Sequence, residues 1–197
     1  RDTGVASMAL MFGVKLPTGD EDETGFQSEI FVRRVDTGVV QDHGHGDAGH
    51  HHQGNLLEAH QQPGSGSYDP IVGFAYSRQF ASLNMDSSLV YTMTNEGSQQ
   101  TDQGDSFKYN LALAYPLNGS LDLVMEVNGE WRDQEVRGSA VIENSGGSHT
   151  YVSPGMRYRF RDGWSASVSY GMPVYENING FQSEPDKRWI GTLSFSF

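Results

Sequence analysis

The chain has 197 residues, which suits one domain, with 36% hydrophobic residues and a formal net charge of −12 at pH 7. This acidic balance argues against nucleic acid as a partner, because phosphates would be repelled. The absence of cysteine excludes a disulfide framework and thiolate metal sites. No apolar run approaches the ~20 residues of a membrane helix, but a membrane strand needs only ~10 residues with every second one apolar.

Eight segments alternate between apolar and polar residues with the period of two that is typical of β-strands. The first shows the pattern clearly, since Met8, Leu10 and Phe12 share one face while Ser7 and Lys15 share the other. No segment has a convincing helical period. In chain order the predicted strands are residues 6–16, 68–80, 83–93, 106–115, 121–131, 152–160, 164–172 and 187–197.

The predicted connections alternate between short and long. The short ones are residues 81–82, 116–120 and 161–163, and Asn118-Gly119 within the second is a strong hairpin signal. The long ones are hydrophilic and cover about 17–67, 95–105, 133–148 and 173–186. Short turns at one end and long loops at the other are typical of outer-membrane β-barrels, which have periplasmic turns and extracellular loops.

The last strand has one apolar face and ends on an aromatic residue. Trp189, Leu193, Phe195 and Phe197 share one parity, and Arg188 has the other. An alternating last strand that ends on Phe resembles the C-terminal signal of bacterial outer-membrane barrels, which implies the barrel-assembly machinery as a partner. The alternative is an ordinary edge strand of a sandwich.

We therefore expect an all-β fold, an antiparallel up-and-down transmembrane β-barrel in the bacterial outer membrane, with outer-membrane lipid as a partner. A soluble sandwich would also alternate, but its apolar faces would point to a shared core. Here the opposite faces carry charges of both signs at mid-strand, as a lumen would. The residues predicted to line the lumen are Lys15, Asp86, Lys108, Asp122, Glu126, Arg157 and Arg159.

The whole chain, residues 1–197, is expected to form a single barrel domain with a long extracellular loop at about 20–67. The chain opens at Arg1 and is strand-like by Val5. Two interpretations remain open for this start: a mature N-terminus, or the C-terminal eight strands of a larger barrel. The distinction affects function, because side chains fill the interior of an eight-stranded barrel whereas sixteen or more strands leave an aqueous channel.

Three motifs resemble a family of outer-membrane transporter-like proteins that carries the label "meta-pathway of phenol degradation". They begin at Phe12 (FGVKLPTG), Pro63 (PGSGSYDPIVGFAYS) and Gly104 (GDSFKYNLALAY). The resemblance covers roughly 1–19 and 63–197, and it implies a β-barrel with a channel role for small solutes. The segment 20–62 departs from the family pattern.

The long loop contains a concentration of histidines. Six of the seven lie between residues 43 and 60, interleaved with glycine and carboxylates: His43, His45, His50, His51, His52 and His60. Neutral imidazoles suit Zn, Cu or Ni, so the pattern predicts divalent transition-metal binding. No fixed ligand spacing is present. A solvated surface loop with incidental metal affinity is the alternative.

An enzyme is a less favoured interpretation, as is a non-conducting barrel that displays its loops. An outer-membrane lipid hydrolase or acyltransferase would need a serine and a histidine in contact. His149 has Ser145, Ser148 and Glu143 nearby, but no nucleophile motif surrounds these serines. We therefore expect a channel or transporter-like barrel for small solutes or metal ions, without catalytic residues and with no required cofactor.

Overall fold

Antiparallel strands dominate the structure, a computed structural model that describes residues 6–25, 55–56, 62–160 and 163–195. One turn of 3-10 helix, Ser98–Gln100, interrupts them. The strands are β1 (Ala6–Lys15), β2 (Thr24–Gly25), β3 (Asn55–Leu56), β4 (Asp69–Phe80), β5 (Leu83–Thr92), β6 (Thr101–Asp102), β7 (Ser106–Pro116), β8 (Leu121–Arg132), β9 (Val136–Arg137), β10 (Ala140–Val141), β11 (Gly147–Arg159), β12 (Trp164–Ile178) and β13 (Arg188–Phe195).

The eight long strands form one antiparallel sheet in the order β1-β4-β5-β7-β8-β11-β12-β13. Each long strand pairs with the next long strand in the chain, so the prediction of eight antiparallel strands is confirmed. Two small sheets, β10-β9-β6 and β2-β3, lie in the long connections. Within the described residues β1 and β13 are the two edges of the large sheet and do not pair with each other, so closure into a barrel stays a prediction.

One face of the sheet, called the apolar face below, carries mainly apolar residues from edge to edge, with Arg78 as a charged member near the end of β4. Leu10 lies opposite Phe74, Phe74 opposite Leu89, and Leu89 opposite Tyr109. The apolar face continues through β8, β11, β12 and β13 in register. Its exposed members include Met8, Leu10, Phe12, Val14, Val72, Phe74, Leu89, Leu111, Tyr115, Leu123, Met125, Trp131, Met156, Tyr158, Trp164, Val168, Trp189, Leu193 and Phe195.

No second layer covers this face in the part of the chain that the structure describes. Phe12 is 77% exposed and Trp189 73% exposed. Among the described hydrophobic residues only Ala114 and Tyr151 are buried. A sheet normally buries its apolar face against another element, and large exposed apolar patches mark contact with a partner or a membrane. The apolar face therefore has the exposure and extent of a contact surface.

Gly129 allows an aromatic side chain to lie across the apolar face. Tyr109 stands opposite Gly129, which in turn stands opposite Thr150. The Tyr109 hydroxyl forms a hydrogen bond with the Thr150 hydroxyl across the intervening strand. A Cβ at position 129 would collide with the Tyr109 ring and with the His149 carbonyl oxygen, so only glycine permits this close approach.

The short turns and the long connections lie at opposite ends of the sheet. In the β7–β8 turn the Asn118 side-chain oxygen accepts hydrogen bonds from the backbone N–H of Ser120 at 2.9 Å and of Leu121 at 3.0 Å. Such side-chain bonds to the nearby backbone are typical of Asn in turns. The end of the sheet that carries these turns is called the turn end below, and the opposite end the loop end.

The described parts of the long connections bond to one another at the loop end. The Ser98 N–H donates to the Ser65 carbonyl at 2.9 Å, which joins the β1–β4 connection to the β5–β7 connection. The Asp133 N–H donates to the Asp105 carbonyl at 2.8 Å and joins the next connection to these. This end of the sheet is therefore bordered by interlinked loops.

Two strands extend into segments that the sequence predicted as loops. The β11 strand begins at Gly147 rather than at residue 152, and β12 continues to Ile178 rather than ending at residue 172. A β-bulge explains the second difference: Tyr151 pairs with Pro173 and Thr150 with Tyr175, so Val174 is an extra residue. The bulge reverses the parity of apolar and polar positions, so a period-two pattern ends there although the strand continues.

Candidate functional site

The face opposite the apolar face is called the polar face, and it carries the predicted lumen residues. One row across five strands shows the geometry: Ser77, Asp86, Ala112, Glu126 and Ser153 stand opposite one another in succession. Because side chains alternate along each strand, residues an even number of positions from this row share its face, and Ser7 of β1 extends the row because it stands opposite Ser77. Register and alternation thus place all seven predicted residues on the polar face: Lys15, Asp86, Lys108, Asp122, Glu126, Arg157 and Arg159.

Three of these residues form a charge cluster near the turn end. Asp122 stands opposite Arg157, and its Oδ2 lies 2.8 Å from the Arg157 Nη2. The same oxygen also contacts Arg159. The Asp122 side chain is only 2% exposed, whereas each arginine side chain is 40% exposed. One buried carboxylate therefore holds two guanidinium groups at the surface of the polar face.

Two other carboxylates lie at mid-strand without a cation. Asp86 and Glu126 flank Ala112 on either side, about two strand spacings or ~10 Å apart. Asp86 accepts a hydrogen bond from the Ser77 hydroxyl. Neither carboxylate has an ion-pair partner among the described residues. Both line an open groove of about 390 Å³ on the polar face, called the acidic groove below.

Further ion pairs lie toward the loop end. The Lys15 Nζ lies 3.0 Å from the Asp69 Oδ2, and Asp69 is 1% exposed. The Glu130 carboxylate lies between two cations, with the Arg132 Nη2 at 2.7 Å and the Lys108 Nζ at 3.8 Å. Among the described residues, most charged side chains at the two ends of the polar face form ion pairs, whereas the two carboxylates at its middle do not.

The sequence prediction missed several charged members of the polar face, namely Asp69, Glu130, Arg132 and Arg188. The signal for them was present, because each occupies a polar position in the alternation of its own strand. Their roles became visible only when the register showed which strands pair.

The predicted metal ligands His43, His45, His50, His51, His52 and His60 lie outside the described residues. Within the described ranges no group of three or more His, Asp or Glu side chains could hold a metal ion. None of the described residues forms a helix long and apolar enough to cross a membrane.

The serines near His149 are placed differently from one another. The Ser145 hydroxyl donates to the Ile142 carbonyl at 2.6 Å and accepts from the Glu135 N–H at 2.8 Å, so it stabilises a turn. Ser148 stands opposite Trp131 on the apolar side of the sheet, whereas His149 stands opposite Glu130 on the polar face. The His149 ring lies edge-on to the Tyr151 ring at 5.8 Å.

The fold and the site define an all-β protein in which one antiparallel sheet has an apolar face and a charged face. The chain belongs to the family described as "Putative MetA-pathway of phenol degradation", which matches residues 57–177, more than half of the chain. This match confirms the family resemblance seen in the sequence. No curated protein matches the chain.

We predict that Asp122→Asn destabilises the fold more than Asp86→Asn. The first change leaves Arg157 and Arg159 without their shared counter-ion at a buried position, which costs about 1–3 kcal/mol. The second removes a carboxylate that has no cationic partner and should change stability by less than about 0.5 kcal/mol. Denaturant unfolding followed by tryptophan fluorescence measures both, and equal losses in the two variants would contradict the assigned pairing.

Proposed function

We propose that these strands form the wall of a transmembrane β-barrel in the bacterial outer membrane and that the polar face lines a path for small solutes. The observation that carries this proposal is the apolar face, which continues through all eight strands while charges occupy the opposite face. In water this face would remain exposed at a large cost, since apolar surface contributes ~25 cal/mol per Å². In a bilayer, lipid covers it.

The membrane proposal also requires the sheet to close into a barrel. The edge strands β1 and β13 carry backbone N–H and C=O groups that have no ladder partner within the described sheet. Such groups must be paired inside a membrane, because hydrocarbon offers no hydrogen bonds. We propose that β1 and β13 are joined directly or through further strands. The total strand number then sets how much of the lumen is open to water.

The family description is consistent with this proposal and links the chain to phenol degradation. A passage role for small solutes fits such a link without requiring catalysis by this chain. We propose outer-membrane lipid and the barrel-assembly machinery as partners, the latter through the C-terminal strand that ends at Phe197.

The membrane proposal predicts opposite tolerance of arginine at two adjacent positions in β7. Leu111 lies on the apolar face and Asn110 on the polar face beside the acidic groove. Leu111→Arg should reduce the free energy of unfolding from lipid by about 2–4 kcal/mol, the cost of arginine near the bilayer midplane. Asn110→Arg faces Asp86 and Glu126 and should change it by less than about 0.5 kcal/mol. Equal tolerance at both positions in lipid vesicles would contradict lipid contact at the apolar face.

The acidic groove suggests which solutes pass most easily. Asp86 and Glu126 are the unpaired charges at the middle of the polar face, and a lumen with unpaired acids attracts cations. The ion pairs at the two ends contribute less to selectivity, because each carboxylate there already holds a cation. We therefore propose that the path prefers cations over anions at mid-membrane.

Planar-bilayer recording tests the passage proposal. The full-length protein should give steady conductance, and Asp86→Asn with Glu126→Gln should lower its cation-to-anion permeability ratio by about threefold, or ~0.6 kcal/mol of lost attraction. Glu184→Gln, which removes an exposed loop carboxylate outside the acidic groove, should leave the ratio unchanged. A protein that inserts but stays electrically silent would contradict passage. It would favour the alternative of a closed barrel that displays its loops.

The histidine-rich loop supports a second proposed property, the binding of divalent transition metals. The support is its composition, with six imidazoles and interleaved carboxylates between residues 42 and 60. Replacement of all six histidines by glutamine should abolish saturable binding of Zn²⁺, Cu²⁺ and Ni²⁺ in calorimetric titrations, and His149→Gln should retain it. Unchanged affinity after the sixfold replacement would contradict metal binding by the loop.

A further inference from the structure

A second cavity, called the arginine cavity below, lies on the polar face near the loop end. It has a volume of about 400 Å³. Its lining includes the guanidinium groups of Arg132 and Arg188 and a single carboxylate, that of Glu130. Ile178 and Pro185 add apolar surface. In a chain of net charge −12, the lining cations of this cavity outnumber its lining carboxylates, in contrast to the acidic groove.

Arg188 is held in place by an aromatic ring rather than by a carboxylate. Its guanidinium carbon lies 4.1 Å from the centre of the Tyr151 ring, a cation–π contact. The Tyr151 hydroxyl donates to the Asp186 carbonyl at 3.1 Å, so the same side chain also positions the backbone just before Arg188. Tyr151 is 6% exposed and is therefore a rigid support.

The donor groups of Arg188 are available for another ligand. Its one described hydrogen bond is a long contact of 3.5 Å to the Asn128 side-chain oxygen, a distance at which a hydrogen bond is weak. No described carboxylate pairs with it. A stacked guanidinium presents its N–H groups at its edge, in a fork that matches the two oxygens of a carboxylate.

Arg132 is only partly neutralised by its neighbour. Its Nε and Nη2 both donate to one Glu130 oxygen, at 3.3 and 2.7 Å. The other Glu130 oxygen lies 3.8 Å from the Lys108 Nζ, so one carboxylate is shared by two cations. The Nη1 of Arg132 makes no described hydrogen bond, and the local balance of charge stays positive.

A folded loop forms the outer wall of the arginine cavity. The Gln182 side-chain nitrogen donates to the Gly146 carbonyl at 2.8 Å and to the Asn179 carbonyl at 2.7 Å. The Asn179 side chain in turn donates to the Ser145 carbonyl at 3.0 Å. These bonds hold the β12–β13 connection against the start of β11, so the cavity wall is built by specific contacts.

We propose that the arginine cavity binds the carboxylate group of a small organic acid, with Arg188 as the main ligand and Arg132 as the second. Ile178 and Pro185 contact the apolar body of the acid, which favours an organic carboxylate over inorganic phosphate. The inference rests on the proposed passage role for its purpose: the site would hold the acid at the loop end, at the mouth of the path, whereas the acidic groove at mid-strand would repel the same anion.

Titration of the full-length protein in detergent with benzoate tests this site. Saturable binding is expected, measured by calorimetry, and the neutral isostere benzamide should bind at least tenfold more weakly because it lacks the charge that pairs with arginine. Arg188→Gln should weaken benzoate binding about tenfold. Arg188→Lys retains the charge without the planar fork and should weaken it by about threefold, which keeps the test decisive if the glutamine variant folds poorly.

Lys187→Gln is the matched control. It removes a positive charge next to Arg188 in the chain, but the Lys187 side chain does not line the arginine cavity. It should bind benzoate as the unaltered protein does. Three results would overturn the proposal: no saturable benzoate binding, unchanged binding in both Arg188 variants, or equal affinity for benzoate and benzamide. Tighter binding of inorganic phosphate than of benzoate would also overturn it in favour of a general oxyanion site.

Different results would contradict the carboxylate site and the passage role. Arg188-dependent benzoate binding by an electrically silent protein would contradict solute passage and leave the carboxylate site standing. Steady conductance with cation selectivity, but without benzoate binding, would contradict the carboxylate site alone. Conductance recorded with and without benzoate therefore completes the experiment on the same preparation.

Discussion

In-register pairing of the eight long strands is the constraint on which the rest of the structure depends. Because side chains alternate, a slip of one residue between two strands would move every apolar residue of the slipped strand to the polar face. The match of Leu10, Phe74, Leu89 and Tyr109 across four strands shows how each pairing fixes the next. The separation into an apolar and a polar face is therefore a collective property of all seven ladders.

Much of this could be predicted from the sequence, since alternation alone located the eight strands and the faces of the seven charged residues. The alternation does not show which strands pair or which residues stand opposite each other. Asp122 and Arg157 are far apart in the chain, and only the register places them opposite each other. The bulge at Val174 shows a second limit, because the alternation changes parity there and the strand continues unrecognised to Ile178.

The polar face has a definite distribution of charge. At the turn end one buried carboxylate, Asp122, serves two arginines, and toward the loop end one carboxylate, Glu130, serves an arginine and a lysine. Between them, Asp86 and Glu126 have no ion-pair partner among the residues that the structure describes. Arg188 is the reverse case, a cation supported by an aromatic ring. Paired groups mainly stabilise the sheet, whereas these groups have no described ion-pair partner and are the ones on which the proposed functions depend.

The apolar face spans many strands, so it forms only as the sheet assembles. In a single strand the apolar residues alternate with polar ones, so the strand on its own presents only a narrow apolar row. The broad apolar surface comes into existence only when neighbouring strands pair. A sheet completed in water before anything covers this surface would be prone to aggregate, because both its apolar face and the edges of the described sheet invite pairing with other chains.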